Sequence, residues 1–182
     1  MKKIFIFLAD GFEEGEMIIP LDTYRRSGYD VTTVSITGSR QVISSHKVEM
    51  KTDTLFENAD FSNGDVLFLP GGMPGTLTLN AHQGLKDLVM EYYKQGKLVT
   101  AICAGPMVLG GLGILKDRNA TCYPGFEDKL IGAKYTGAQV EVSDNIVTGR
   151  GVGAGFEFAL TVVGILEGPK KVEEVTKNMV IK

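Results

Sequence analysis

Apolar and polar positions run along this chain in blocks that predict strands and helices in turn. Lys2 to Ala9, "KKIFIFLA", is almost unbroken apolar sequence, the pattern of a strand covered on both faces. After the polar stretch "DGFEEGE", "MIIPLDTYRRSG" keeps its apolar residues to one side and closes on Gly28, predicting a helix with a glycine stop. "YDVTTVSI" is rich in β-branched residues and predicts a second strand. From Gly38 to Asp53 the pattern is weak and predicts short strands or a hairpin.

The alternation then resumes. "GDVLFLPGG" predicts a strand running into a glycine turn, and "GLKDLVMEYYKQGK" a helix stopped at Gly96. "LVTAIC" predicts a strand and "AGPMVLGGLGIL" a helix. "AKYTG", "QVEVSD" and "NIVTG" predict strands, "GAGFEFALTVVGILEG" a helix, and the remainder a short helical tail. Such alternation predicts a mostly parallel sheet with helices on both faces, in one domain over 1–182. In these sheets function collects beyond the carboxyl ends of the strands. That brings three loops together: "DGFEEGE", "PGGMPG" and "CAGP".

Composition narrows the possibilities. With 43% hydrophobic and 23% charged residues, the chain reads as a soluble globular protein. A net charge of -3 gives no basic surface for nucleic acid. The first apolar run is at the short limit for a secretion signal and meets acidic residues at once, so it reads as a strand. No apolar run approaches the ~20 residues of a membrane helix. The expectation is a cytoplasmic protein with no membrane partner. Cys103 and Cys122 make no disulfide framework, and with His46 and His82 distant in sequence they offer no zinc site.

Cys103 lies where a strand becomes a helix. Unpaired N–H groups at a helix start favour a thiolate, which predicts a lowered thiol pKa. Ala104 and Gly105 allow a tight turn, and Pro106 suits an early helical position. The arrangement is similar to a nucleophile elbow, although Ala101 stands where the elbow usually has glycine. Buried cysteine as plain apolar filler is the alternative. Asp10, Glu13, Glu14 and Glu16 supply carboxylates, any of which can be a solvated helix start or a proton partner for Cys103; spacing does not choose. Gly71 and Gly72 can present N–H groups to an oxyanion or simply make a turn. Neither phosphate-loop glycine pattern occurs.

Together these loops resemble the ThiJ/PfpI superfamily, in the branch of the parkinsonism-associated deglycase. The resemblance runs from "FLADGFEEGEMIIPLDTYRRSGYDVT" through "VLFLPGGMPG" and "VTAICAGP" to "VTGRGVGAGFEFAL". It implies a flavodoxin-like three-layer sandwich and a homodimer. It implies Cys103 as nucleophile, Glu16 as its proton-transfer partner, and Gly72 with the Ala104 N–H as the oxyanion turn. The activity it implies is cofactor-independent: turnover of methylglyoxal or of early glycation adducts. A redox-responsive sensor or chaperone is the other implied role. Arg150 falls on a family position near the pocket or the dimer contact.

This chain departs from that pattern in two places. Tyr123 in "TCYPGF" stands where many members of the branch have histidine. Tyrosine, with an ordinary pKa of about 10, is a poor base at neutral pH but can donate a hydrogen bond to a substrate oxygen. Ala104 stands where the peptidase branch has histidine, and no histidine follows Cys103. Without a Cys–His pair, protease and amidotransferase chemistry are disfavoured. His46 reads as a polar loop residue, His82 as a helix-start residue, and Cys122 as a core or pocket-mouth residue.

Overall fold

The computed structural model describes residues 1–181. Its strands are β1 (Lys3–Leu8), β2 (Asp30–Ser35), β3 (Gln41–Ile43), β4 (Glu49–Lys51), β5 (Thr54–Leu55), β6 (Val66–Leu69), β7 (Leu98–Ile102), β8 (Asn119–Ala120), β9 (Lys134–Tyr135), β10 (Val140–Ser143) and β11 (Ile146–Gly149). Its α-helices are α1 (Glu14–Arg26), α2 (Gly75–Ala81), α3 (Gln83–Lys94), α4 (Pro106–Gly111), α5 (Gly155–Glu167) and α6 (Pro169–Asn178). Seven strands form the central sheet in the order β10-β11-β7-β6-β1-β2-β5. All its neighbours pair in parallel except β10, which forms an antiparallel hairpin with β11.

Side chains alternate across this sheet as strand geometry demands. Ile4, Ile6, Leu8, Phe68, Ile102 and Val147 pack on one side with Tyr24 of α1 and Phe158 and Val162 of α5. Phe5, Phe7, Leu67, Leu69, Val99 and Ala101 pack on the other with Leu79 of α2, Leu85 and Val89 of α3 and Leu109 of α4. The result is the flavodoxin-like three-layer α/β sandwich. Its unbroken apolar strands follow from burial on both faces.

The chain winds from β1 to β2 and β5 on one side, and to β6, β7 and β11 on the other. The direction reverses between β1 and β6, opening a crevice at their carboxyl ends. Gly28 stops α1 with a left-handed φ of +82°, a conformation that glycine adopts without strain.

Some elements differ from the sequence reading. The weak stretch after Gly38 contains the β3–β4 hairpin. "AKYTG" contributes β9, but β9 pairs with β8 outside the main sheet. The helix predicted over Ala104–Leu115 is only Pro106–Gly111. Gly110 lies against the Lys129–Ile131 backbone, and Gly113 takes a φ of +75°, so the chain turns there. Helix α2 arises from "GTLTLNA", a stretch without a strong apolar stripe.

Candidate active site

The turn after β7 holds Cys103 in an unusual backbone conformation, with φ at +62°. Left-handed backbone costs a non-glycine residue roughly 1 kcal/mol or more. Neighbouring bonds hold it there. The Cys103 N–H donates to the Gly149 carbonyl at 2.9 Å, and the Cys103 carbonyl accepts from the Tyr123 N–H at 2.9 Å. Gly105 N–H closes the turn on the Ile102 carbonyl at 2.9 Å, and Pro106 opens α4. This is the geometry of an elbow that lifts a side chain above the sheet edge.

The four carboxylates of "DGFEEGE" have separate fates. Asp10 accepts from the Ile43 N–H at 2.8 Å. Glu13 caps α1, accepting from the Glu16 N–H at 2.6 Å. Glu14 meets Nδ1 of the exposed His46 at 2.8 Å. Glu16 alone is sunk, at 1% exposure, and its Oε2 accepts from the Gly71 N–H at 2.9 Å. Its carboxyl also faces the Cys103 thiol and the Val152 N–H.

Gly71 makes this meeting possible. A Cβ on residue 71 would lie 2.6 Å from Cys103 Cβ and 2.6 Å from Glu16 Oε2. The Gly71 N–H, expected to be free for an oxyanion, is spent on Glu16, while its carbonyl accepts from the Glu13 N–H at 3.0 Å. Gly72 takes a φ of +92°, and a side chain there would collide with the Gly11 and Glu13 backbone. The Gly72 and Ala104 N–H groups both face the Cys103 sulfur.

Electrostatically, Glu16 and Cys103 form a coupled pair. Burial raises the Glu16 pKa to about 7, opposed by the facing Cys103 thiol, aided by the nearby charge of Glu13 and opposed again by the hydrogen bond from Gly71. Burial and the Glu16 charge also push the Cys103 thiol up, opposite to the fall expected at a helix start. Helix α4 has only six residues, too few to outweigh burial beside a carboxylate. The pair therefore gives up its protons one at a time, Glu16 first near pH 7 and the thiol only at higher pH.

Tyr123 and Arg150 stand beside this pair. Tyr123 is 51% exposed. Arg150 Nη1 donates to the Gly137 carbonyl at 2.8 Å. Both line a cavity of about 200 Å³ next to Gly151. Cys122 is fully buried in the core on the α3 and α4 side of the sheet. His82 caps α3, its Nδ1 accepting from the Leu85 N–H at 3.0 Å. The sequence reading missed Val152 and Gly151, which border Glu16 from the β11–α5 loop. Neither carries a chemical group that spacing could single out. Glu13, Glu14 and His46 place ligand atoms within 4.8 Å of one another, yet Glu13 caps a helix and Glu14 is paired with His46.

A strained cysteine elbow, a buried carboxyl group and converging backbone amides on a doubly wound sheet define a class: flavodoxin-like proteins with a cysteine–carboxylate centre. The chain belongs to the DJ-1/PfpI family, whose model matches residues 2–164. It is 36% identical to the Parkinson disease protein 7 homolog of Danio rerio, covering 100% of this chain and 98% of that one. It is 34% identical to the glutathione-independent glyoxalase DJR-1.2 of Caenorhabditis elegans, over 92% of this chain and 89% of that one. Protein DJ-1 homolog B of Arabidopsis thaliana is 38% identical over 100% of this chain, but the chain spans only 42% of its length. The crystal structure of a DJ-1 superfamily protein from Salmonella typhimurium, in a cysteine-to-alanine form, superposes with a TM-score of 0.94 at 33% identity, covering 100% of both chains.

Proposed function

We propose that this chain is a cofactor-independent glyoxalase or deglycase, acting on methylglyoxal or on early glycation adducts. The observation that carries this is the contact of the buried Glu16 carboxyl with Cys103 over Gly71. A single proton spread over the pair leaves a thiolate whenever it sits on Glu16. The thiolate adds to the aldehyde carbon, and the Gly72 and Ala104 N–H groups stabilise the oxyanion that forms. Glu16 gives its proton to that oxyanion and, now a carboxylate, moves the aldehyde hydrogen, as a proton, from that carbon to its carbonyl neighbour; the hydroxyl proton passes to the neighbour's oxygen, leaving a 2-hydroxy thioester on Cys103. Water then cleaves the carbon–sulfur bond, yielding a 2-hydroxy acid and the free pair. Tyr123 donates a hydrogen bond to a substrate oxygen. Protease chemistry is disfavoured because Ala104 supplies no imidazole to activate the thiol.

The test is methylglyoxal turnover without glutathione by the native chain, Cys103→Ser and Glu16→Gln. Turnover by the native chain alone, rising as pH passes through about 7, is the expected result. Absence of turnover by the native chain sinks the enzyme reading.

A redox role is the second reading. Cys103 is partly exposed, and a protonated Glu16 together with the Gly72 and Ala104 N–H groups suits a sulfinate as well as an oxyanion. Sensor or chaperone action without turnover is its outcome. A homodimer fits either reading. Ile18, Phe156 and Ile165 are exposed on α1 and α5, and a groove of about 580 Å³ runs between α1, Phe156 and the Asn178–Met179 segment. Analytical ultracentrifugation tests it, a monomer being the contrary result. A cytoplasmic location agrees with two free cysteines. Among the described residues no helix is long and apolar enough to cross a membrane.

A further inference from the structure

The cavity beside the catalytic pair has its own chemistry. Arg25, Arg26 and Arg118 each pair with a carboxylate. Arg150, half-buried in the cavity wall, has no carboxylate within 4.0 Å among the described residues. One of its nitrogens is committed to the Gly137 carbonyl at 2.8 Å, and the rest of the guanidinium has no such bond. Glu127 is the acid whose charge reaches it, but that carboxylate is held by the Gly125 N–H at 2.8 Å. Across the recess stands Tyr123, whose hydroxyl has no hydrogen-bond partner among the described residues.

Gly151 joins this recess to the reacting groups. A Cβ on residue 151 would lie 3.4 Å from the Tyr123 ring and 4.0 Å from Glu16 Oε1. A molecule attacked by Cys103 can therefore extend past Gly151 between a phenol and a guanidinium with no carboxylate within 4.0 Å among the described residues. That pair of donors matches an anionic oxygen group. A volume of about 200 Å³ limits the extension to a short arm.

We propose that the Tyr123–Arg150 recess is a subsite for an anionic oxygen group, carboxylate or phosphate, carried on a short arm away from the aldehyde. The proposal rests on the aldehyde chemistry above and narrows it to anionic substrates.

Two measurements test it separately from that chemistry. The first compares kcat/KM for a 2-oxoaldehyde bearing a propionate arm with that for its methyl ester. The acid is expected to lead by about tenfold, the scale of one charge-assisted contact, and Arg150→Gln to erase the lead. Equal values in the native chain overturn the subsite while leaving turnover intact. The second needs no turnover. Cys103→Ser is titrated with levulinate, methyl levulinate and methyl phosphate, following the Arg150 and Gly151 amide signals by NMR. The anions are expected to shift both signals and the ester neither, and the tighter of the two anions identifies the natural group. Shifts equal for ester and anion, or surviving Arg150→Gln, overturn the proposal. Gly151→Ala, whose backbone is extended, blocks the junction without touching Arg150 and is expected to remove the acid's lead. If no aldehyde is turned over, the function fails and the titration still decides the subsite.

Discussion

Glu16 reaches Cys103 across the bare Cα of Gly71. A methyl group there would sit 2.6 Å from both Cys103 Cβ and Glu16 Oε2, and 3.0 Å from the Ala104 nitrogen. Two of these neighbours cannot swing away, since one is next to backbone and one is backbone. Gly71→Ala is therefore expected to cost roughly 1–3 kcal/mol, as overpacking does, and to abolish turnover by parting the pair. Thermal unfolding and a methylglyoxal assay check this. Native-like stability with full activity would show that the three loops can move apart freely.

Glu16 also makes stability depend on pH. Its folded pKa of about 7 lies above the ordinary 4.5, so its contribution is fully present below pH 4.5 and is lost as pH rises through 7. At about 1.4 kcal/mol per unit, the loss is roughly 3 kcal/mol. Glu16→Gln stays neutral throughout. The melting temperature of Glu16→Gln minus that of the native chain should thus grow between pH 4.5 and pH 7 and then level off. A difference that is flat with pH would mean that Glu16 ionises as an exposed glutamate does.

The strain at Cys103 can be read from substitutions. At φ +62° alanine keeps the steric cost and glycine loses it, although glycine adds freedom to the unfolded chain. The two effects are each about 1 kcal/mol, so Cys103→Gly should be at least as stable as Cys103→Ala. Chemical denaturation of both variants measures this. Glycine weaker by more than about 1 kcal/mol would place the elbow in an unstrained backbone.

Much of this site was legible in the sequence because its parts are local. Strand, turn and helix signals placed three loops at one sheet edge, and "ICAGP" carried its elbow in its small residues. What spacing could not supply was the choice among four carboxylates. That choice depends on α1 turning Glu16 inwards while Asp10, Glu13 and Glu14 satisfy nearby backbone or His46. The thiol's pKa shift was misjudged for a similar reason. A helix start is visible in sequence, whereas the depth of burial beside a carboxylate is set by residues 55 positions apart, as in the Glu16–Gly71 bond. The short α4 was overread because glycines inside an apolar run look like helix until packing against Lys129–Ile131 shows why the chain turns.

Tyr123 tests how much an imidazole would add. Its N–H bond to the Cys103 carbonyl comes from the backbone, so a new side chain leaves that anchor in place. Tyr123→His would put a base of pKa near 6.5 across Gly151 from Glu16 and is expected to raise kcat/KM for methylglyoxal by roughly tenfold, a modest return for general-base catalysis. Tyr123→Phe, losing only the hydroxyl, is expected to lower it severalfold. If neither variant differs from the native chain, the side chain at 123 takes no part in the reaction.

Cys122 follows Thr121 and precedes Tyr123, so in sequence it is as close to the site as any partner thiol could be. In space it is not available. It is fully buried among Val108, Leu109 and Ala120 on the α3 and α4 side, whereas Cys103 packs at the edge of the core formed with α1 and α5. Cys122 has no exposure, whereas Cys103 is partly exposed, so peroxide reaches only Cys103. Limited peroxide should therefore add oxygens to Cys103 alone and form no intramolecular disulfide. Intact mass would gain one and then two oxygens on Cys103, with Cys122 still open to alkylation after denaturation. A product lighter by two hydrogens would mean that the two sulfurs meet, and that the chain around Tyr123 opens far more readily than its bond to Cys103 implies.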